Sequence, residues 1–214
     1  MDVSHPIRSI IPTLDAPVLE VLAGTRRRLS GREVHRLAGV GSVRGVQLVL
    51  ARLVAQGLVD AEEHAGAILY AANRAHLAWP AIEALAGIRG ELFGRIRDLV
   101  AGWSVQPLHV SLFGSAARRD GDASSDIDLL VVRPDAIIDD EAWENEIDAL
   151  RDDVRDWTGN RCQVLAIDRR RLAEHVAAAD PLVDGWLRDG ILLAGDPLRT
   201  ILDGSHALPA STRR

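Results

Sequence analysis

The sequence predicts a mixed α/β domain in the C-terminal half of the chain, preceded by a small domain of helices and one hairpin. After residue 105, apolar runs typical of strands alternate with helical segments, which favours a mixed α/β sheet. Before residue 79, three helical segments are followed by two short strand-like runs. The length of 214 residues suits two small domains. We expect domains over residues 1–78 and 105–204, a connecting helix over 79–104 and a loose tail over 205–214.

The composition excludes several classes of site. All 25 positively charged residues are Arg, so a lysine nucleophile and a P-loop lysine are both excluded. Cys162 is the one cysteine in the sequence, which rules out an internal disulfide and a cysteine-based metal cluster. No apolar stretch reaches the length of a membrane span, and no signal-peptide pattern opens the chain. We therefore expect a cytoplasmic protein without a membrane partner.

The net charge of −6 is unevenly distributed. Residues 1–78 carry nine Arg and seven acidic residues, whereas residues 79–214 carry sixteen Arg and twenty-four acidic residues. The positive excess of the first part could meet nucleic acid, but it is too small to imply strong non-specific DNA binding.

The first domain is predicted from helix-capping signals and apolar periodicity. Ser30 with Glu33 forms the sequence pattern of a capping box, and Ser42 is a suitable N-cap for the next helix. A polar turn over 62–66 separates the two strand-like runs. The predicted elements are helices over 15–24, 30–37 and 43–57 and strands over 58–59 and 67–72.

Three helices followed by a hairpin is the order of a winged helix-turn-helix, and residues 12–76 resemble many bacterial winged-helix regulators. In that module the third helix enters the DNA major groove. Arg44 and Gln47 have side chains that can read base edges. The resemblance implies a DNA-binding surface made of Ser42, Arg44, Gln47 and Arg52. The alternative is that this domain contacts a protein partner or forms a homodimer.

The second part of the chain is predicted from apolar spacing. Residues 80–103 have aliphatic side chains three and four apart, as in a long amphipathic helix, which begins at Pro80. The elements expected after it are strands over 107–113, 127–133, 161–167 and 190–194 and helices over 114–120, 140–157, 169–178 and 181–189.

The candidate residues for phosphate and metal binding lie between Phe113 and Val132. A strand ends at Phe113, and Gly114 with Ser115 opens a short helix whose free N–H groups could hold a phosphate. Ten residues separate Ser115 from Asp126, and Asp126 and Asp128 flank Ile127 at the start of a strand. Because side chains alternate along a strand, both carboxylates lie on one face. Mg²⁺ often binds to one or two carboxylates plus substrate phosphates, so the pair is a candidate metal site.

This arrangement resembles the DNA polymerase β-type nucleotidyltransferase superfamily, most closely its minimal nucleotidyltransferases. The shared pattern is Phe113-Gly114-Ser115 with Ala117 and Arg118, then Ser125-Asp126-Ile127-Asp128-Leu129. The resemblance implies NTP binding, a Mg²⁺ (or Mn²⁺) ion on Asp126 and Asp128, and transfer of a nucleoside monophosphate. Arg118 and Arg119 either contact the triphosphate or are solvated helix residues.

The sequence departs from that superfamily at one position. Active members usually carry a third carboxylate on the next strand, and Gln163 occupies that place here. An amide is neutral and cannot act as a base. Asp168 could replace the carboxylate only if the strand bends.

Three hypotheses follow. The first is a nucleotidyltransferase with a DNA-binding head. The second is a winged-helix transcription regulator whose degenerate transferase domain senses nucleotide without turnover. The third is a toxin–antitoxin partner, since minimal nucleotidyltransferases are often paired with a toxin in bacteria.

Overall fold

The computed structural model describes residues 1–135 and 140–205, which separate into two compact units. One unit comprises His5–Gly90, and the other comprises Met1–Ser4 together with the chain from Glu91 onward. The tail predicted from residue 205 lies outside the described residues from residue 206 on.

The unit His5–Gly90 contains short helices and a three-stranded antiparallel sheet. The strand order is β1-β3-β2. Its elements are α1 (Pro6–Ile10), α2 (Asp15–Ala23), β1 (Leu29–Ser30), α3 (Gly31–Ala38), α4 (Val43–Ala55), β2 (Val59–His64), β3 (Ala67–Ala72) and the first part of α5 (Trp79–Ala101).

The capping signals read from the sequence are confirmed in this unit. Ser30 caps α3: its backbone N–H donates to the Glu33 carboxylate over 2.8 Å, and Ser30 Oγ accepts from the Glu33 N–H over 3.3 Å. Ser42 caps α4, since its Oγ accepts from the Gly45 N–H over 3.0 Å. These two caps determine where α3 and α4 begin and which residues α4 exposes.

The hairpin is longer than the sequence indicated. Strand β2 continues to His64, so the turn consists of Ala65 and Gly66, both with positive φ. Positive φ at both central residues matches the right-handed twist of paired strands. After Val59 the residues of β2 are exposed and mostly polar, so the strand has no apolar run by which the sequence could reveal it.

The second unit is built on a four-stranded mixed sheet of order β6-β5-β4-β7. The central pair is antiparallel, β5 and β6 are parallel, and β4 and β7 are antiparallel. This confirms the predicted mixed α/β class. Its elements are β4 (His109–Phe113), α6 (Gly114–Arg118), β5 (Ile127–Val132), α7 (Asp140–Thr158), β6 (Cys162–Ile167), α8 (Arg169–Ala177), α9 (Pro181–Asp189), β7 (Ile191–Gly195) and α10 (Leu198–Ser205).

Both faces of this sheet are buried, and the side chains of β5 alternate between them. Ile127, Leu129 and Val131 belong to the apolar cluster that includes residues of α5 and α7. Leu130 and Val132 belong to a second cluster that includes residues of α8, α9 and α10. By this alternation Asp128 points to the second face, at the end of the strand.

Three elements were not predicted: α1, β1 and α10. Helix α1 has five residues and β1 has two, which is too short for a periodic signal. Helix α10 has eight residues and follows Pro197, in a stretch for which the sequence predicts no helix or strand.

Within the described ranges, no single helix has the length and apolar character needed to cross a bilayer. Helices α3 and α4 meet that test only when taken together, as a pair bent by 114°.

Candidate active site

The two aspartates lie where β5 begins, beside the ends of its two neighbouring strands. Asp128 is paired with Phe113 of β4 on one side and with Gln163 of β6 on the other. Asp126 precedes the strand, and both carboxylates are half-buried, whereas Ile127 between them is fully buried. The strand alternation therefore presents two acidic side chains on one face, as the sequence predicted.

Gly114 lies directly against the side chain of Asp128. Its φ is +71°, and a Cβ at this residue would collide with Asp128 Oδ2. Only glycine combines that backbone conformation with such a close approach. The turn from β4 into α6 is therefore built against the Asp128 carboxylate, a constraint in addition to the phosphate contact expected from the sequence.

Ser115 is next to the loop that carries the chain back to the aspartates. A Cβ on Gly121 would lie 3.0 Å from Ser115 Oγ and 3.0 Å from Ser125 Oγ. The two hydroxyls therefore flank one glycine at the edge of the site. Gly121 lets the loop pass close to both, and a larger residue there would push on at least one hydroxyl.

The loop itself is held by Asp122. The Ser124 hydroxyl and the Ser124 backbone N–H donate to Asp122 Oδ1 over 2.7 and 2.8 Å, and the Ser125 hydroxyl donates over 3.2 Å. The hydrogen bonds from Ser124, together with that from Ser125, lower the pKa of Asp122 below its usual value. This carboxylate is thus engaged in loop structure and is separate from the Asp126–Asp128 pair.

Asn160 is a positioning residue that the sequence did not reveal. Its side chain is buried, and its Nδ2 donates to the backbone oxygens of Ser125 over 2.9 Å and Ala123 over 3.3 Å. Its Oδ1 accepts from the Met1 ammonium group over 2.8 Å. Asn160 therefore anchors the residues immediately before Asp126. An Asn that follows a helix matches no sequence motif, and the preceding Gly159 indicates only that a turn is present.

Gln163 contacts the site directly. Its Nε2 donates to Asp126 Oδ2 over 2.5 Å, and its backbone is in register with Asp128. The amide therefore stabilises the negative charge of Asp126, whereas a carboxylate at the same place would repel it.

Asp168 does not supply a third carboxylate. It lies just beyond the far end of β6 and caps α8, where its Oδ1 accepts from the Arg171 N–H over 2.7 Å. The described ranges contain no group of three or more His, Cys, Asp or Glu side chains arranged to hold a metal. The site thus offers two protein carboxylates.

Electrostatics single out Asp128. Burial raises the pKa of Asp128 above its usual value, and the negative charge of Asp126 raises it further, while Arg118 opposes the shift. Two half-buried carboxylates in this arrangement fit a Mg²⁺ or Mn²⁺ ion, because these cations commonly bind one or two carboxylates and complete their shell with substrate phosphates and water. A divalent cation bound to both carboxylates would offset the repulsion between them, which contributes to the raised pKa of Asp128.

The two arginines after the Gly-Ser pair differ. Arg118 Nε donates to Asp120 Oδ2 over 2.9 Å, and this hydrogen bond raises the pKa of Arg118. Arg119 ends α6 in the left-handed conformation, with φ +63°, and is exposed; it pairs with none of the acidic residues that the structure describes. Arg118 is thus the arginine whose charge reaches Asp128, and Arg119 is the more accessible one.

Cys162 is buried beside the site in the apolar cluster. Burial raises the pKa of Cys162 to about 12, and the nearby aspartates contribute to this rise. The thiol is therefore protonated and a poor nucleophile at neutral pH.

The four residues predicted to contact DNA belong to the other unit and serve different purposes. Arg44 and Gln47 are both exposed and lie three residues apart on α4. The Ser42 hydroxyl caps α4. The Arg52 guanidinium pairs with the carboxylate of Asp15. Arg44 and Gln47 are therefore exposed together on α4. Ser42 and Arg52 instead make contacts with other residues of the same unit.

Three solved structures show local similarity to this chain. A toxin–antitoxin structure with AMP-PNP is 20% identical, with a TM-score of 0.36, over 54% of this chain and 84% of that chain. A mutant of the toxin–antitoxin MntA-HpeT is 19% identical, with a TM-score of 0.35, over 54% and 84%. Human N-acetylserotonin methyltransferase with SAM is 18% identical, with a TM-score of 0.28, over 44% and 31%. No curated protein matches the sequence.

The model of the nucleotidyltransferase domain family matches residues 96–175. This range contains the Gly114-Ser115 turn, the Asp126–Asp128 pair and Gln163. The unit that holds the two aspartates therefore has a mixed α/β fold of the nucleotidyltransferase type.

Proposed function

We propose that the chain is a nucleotidyltransferase, which transfers a nucleoside monophosphate from an NTP to an acceptor hydroxyl with Mg²⁺ or Mn²⁺. The observation that carries the proposal is the Asp126–Asp128 pair set against the Gly114 turn. A Cβ at Gly114 would collide with Asp128 Oδ2, so the turn lies directly against the carboxylate. The family match over residues 96–175 supports the same reaction class.

In this reaction the acceptor oxygen bonds to the α-phosphorus of the NTP. The bond from that phosphorus to the oxygen of the β-phosphate breaks, pyrophosphate leaves, and the hydroxyl proton is released. The backbone N–H groups after Gly114 and the Ser115 hydroxyl would donate to the phosphates. Arg119 can add charge to the same end of the site.

Asp126 and Asp128 would hold the divalent cation. The cation, when bound, supplies Lewis-acid stabilisation of the phosphate charge. Gln163 keeps Asp126 oriented by donating to Oδ2. With the cation bound to both carboxylates, the raised pKa of the metal-free Asp128 no longer applies, and the released proton passes to water.

The first experiment is calorimetric titration of the chain with each NTP, with and without Mg²⁺. We expect Mg²⁺-dependent binding of at least one NTP, which should be lost in the Asp126→Ala/Asp128→Ala double variant, because both metal ligands are removed. A Glu141→Ala/Glu144→Ala variant removes the same charge from exposed positions near the start of α7, away from the pair, and serves as the control. Equal affinities in the wild type and the Asp126/Asp128 variant would remove the pair from the site.

A second candidate function is favoured by Gln163. Since the amide cannot act as a base, the nucleotide site could bind without turnover and the chain would then act as a nucleotide-sensing transcription regulator. The two functions share the binding step and differ in pyrophosphate release. Release of pyrophosphate in the presence of a pool of acceptors favours the enzyme, and Mg²⁺-dependent binding without any release favours the sensor.

The unit His5–Gly90 is proposed to be a winged helix-turn-helix that brings the chain to DNA. Arg44 and Gln47 share the exposed face of α4, as a major-groove helix requires. The exposed acidic residues Glu62 and Glu63 on the hairpin would repel DNA phosphates, so α4 is the surface that would read the bases.

Arg44→Ala is expected to weaken specific DNA binding by roughly 1–3 kcal/mol if Arg44 reads a base edge. The DNA is obtained by enrichment of a random oligonucleotide pool on the wild-type chain, and affinity is measured by gel-shift titration. Arg97→Ala in α5 removes an exposed positive charge from the other unit and should leave the affinity unchanged. Failure to enrich any sequence would leave α4 as a protein-contact surface, which its exposed Leu48 would also suit.

A further inference from the structure

A cleft of about 410 Å³ lies beside the aspartates, along the open edge of the sheet. Among the strands that the structure describes, β6 pairs with β5 alone and is therefore an edge strand. The C-terminal half of α7 forms the other wall. The cleft is lined by Arg151, Asp152, Arg155, Arg161, Cys162, Gln163 and Val164.

Gln163 joins the cleft to the aspartates. The same side chain lines the cleft and donates to Asp126 Oδ2. Cys162 and Val164 belong to the α7 face of β6, whereas Gln163 is in register with Asp128 on the other face. A molecule in the cleft would therefore reach the Asp126–Asp128 pair around the edge strand, at Gln163. Of the residues that line the cleft, Gln163 and the buried Cys162 also lie at the candidate active site.

The charge of the cleft is positive within a strongly acidic unit. Three guanidinium groups line it against one carboxylate, Asp152. Arg151 pairs with Asp148 and Arg155 with Asp152 in exposed contacts three residues apart. Exposed pairs of this kind contribute little, so an anion can replace them as partners of the two arginines.

The sheet order places the cleft and the Gly114-Ser115 turn on opposite sides of the aspartates. The turn follows β4, the aspartates belong to β5 and the cleft borders β6, and these strands are adjacent in that order. In phosphoryl transfer the attacking and leaving oxygens are roughly in line across the phosphorus. With the triphosphate of the NTP at the β4 side, the acceptor attacks from the β6 side.

We propose that the cleft binds the acceptor, and that the acceptor carries a phosphate near its reacting hydroxyl. The arginines Arg151, Arg155 and Arg161 bind that phosphate, and Gln163 lies between it and the metal-binding pair. This inference rests on the proposed transfer reaction and names the substrate class that the reaction leaves open. The phosphate could belong to a small sugar or polyol phosphate or to the end of a nucleic acid strand.

The test uses the full chain with Mg²⁺ and a non-hydrolysable NTP analogue. Two probes are titrated: glycerol 3-phosphate, with glycerol as its phosphate-free counterpart, and a fluorescently labelled eight-nucleotide RNA with a free 3′-hydroxyl. We expect one of them to bind, and the Arg155→Ala/Arg161→Ala variant to weaken that binding by about tenfold or more, since charge-assisted hydrogen bonds are lost. Both arginines are exposed, so the variant should fold. The probe that binds identifies the source of the phosphate.

An Arg97→Ala/Arg170→Ala variant removes the same charge from exposed positions outside the cleft and should bind the probe as the wild type does. Equal weakening in both variants, or failure of both probes to bind, would overturn the cleft assignment. Parallel loss of the NTP analogue in the cleft variant would assign the arginines to the donor triphosphate instead. If the analogue fails to bind the wild type, the transfer reaction itself is overturned, and the acceptor role with it.

Discussion

Asp128→Asn is expected to stabilise the metal-free protein at neutral pH and to abolish its response to Mg²⁺. Burial and the charge of Asp126 raise the pKa of Asp128 in the folded state. A group with a raised folded-state pKa contributes stability that is fully present below its unfolded pKa and is lost as the pH rises through the folded pKa. Ionised Asp128 therefore lowers the free energy of unfolding at pH 7, and a neutral amide removes that cost.

The measurement is the Tm of wild type and variant across a pH series, first with a chelator and then with Mg²⁺. In chelator, the advantage of the variant should shrink as the pH falls through the raised folded-state pKa of Asp128, and it should be gone below about 4, where Asp128 is protonated in both states. Mg²⁺ should raise the Tm of the wild type alone. Loss of a ligand should also weaken Mg²⁺-dependent NTP binding by more than the ~10–100-fold typical of residues that only support a ligand.

The control is Asp122→Asn. Hydrogen bonds from Ser124 and Ser125 lower the pKa of Asp122 in the wild type. Its sign is opposite, because a lowered folded-state pKa contributes stability above the unfolded pKa. Asp122→Asn should therefore lower the Tm at neutral pH. A higher Tm for Asp122→Asn, or no Mg²⁺ response in the wild type, would contradict the electrostatic account of the pair.

Gly114→Ala is expected to destabilise the mixed α/β unit and to displace the Asp128 carboxylate. An L-residue in the left-handed region costs about 1–2 kcal/mol, and the added Cβ would in addition collide with Asp128 Oδ2. The free energy of unfolding, measured by urea denaturation, should fall by more than the backbone term alone. Mg²⁺-dependent NTP binding should weaken together with it.

Gly159→Ala separates the two contributions. Gly159 has φ +73°, close to the +71° of Gly114, but a Cβ there meets nothing within 4 Å. Its variant should show the backbone cost of about 1–2 kcal/mol and keep full nucleotide binding. Equal losses of stability in the two variants, with binding intact in both, would show that Asp128 moves aside freely and does not depend on the glycine.

Much of the second unit could be predicted from the sequence, because its signals are local. The apolar runs of β4, β5 and β6 and the intervening helices follow directly from periodicity. The alternation of Asp126, Ile127 and Asp128 fixed the face of both carboxylates once the strand was assigned. The Ser30–Glu33 capping box could be predicted for the same reason, since its two residues are three apart in the sequence.

The rest depends on contacts that are distant in sequence. The hydrogen bonds from Asn160 to Ala123 and Ser125 connect a turn after α7 with the loop before β5. The ion pair of Arg52 with Asp15 engages one of the four residues for which the resemblance to winged-helix regulators implies DNA contact. The arginine cleft exists because the C-terminal half of α7 lies beside the edge strand β6, and spacing along the chain does not encode that neighbourhood.

The amide of Gln163 also bears on how this gene can evolve. Glutamine and glutamate codons differ only at the first base, so one C-to-G transversion converts the donor to Asp126 into a third carboxylate. That mutation would set three negative charges at one strand end and make folding more dependent on the supply of magnesium. The reverse transversion would relieve that dependence, so a lineage can pass between the two states through a single nucleotide change.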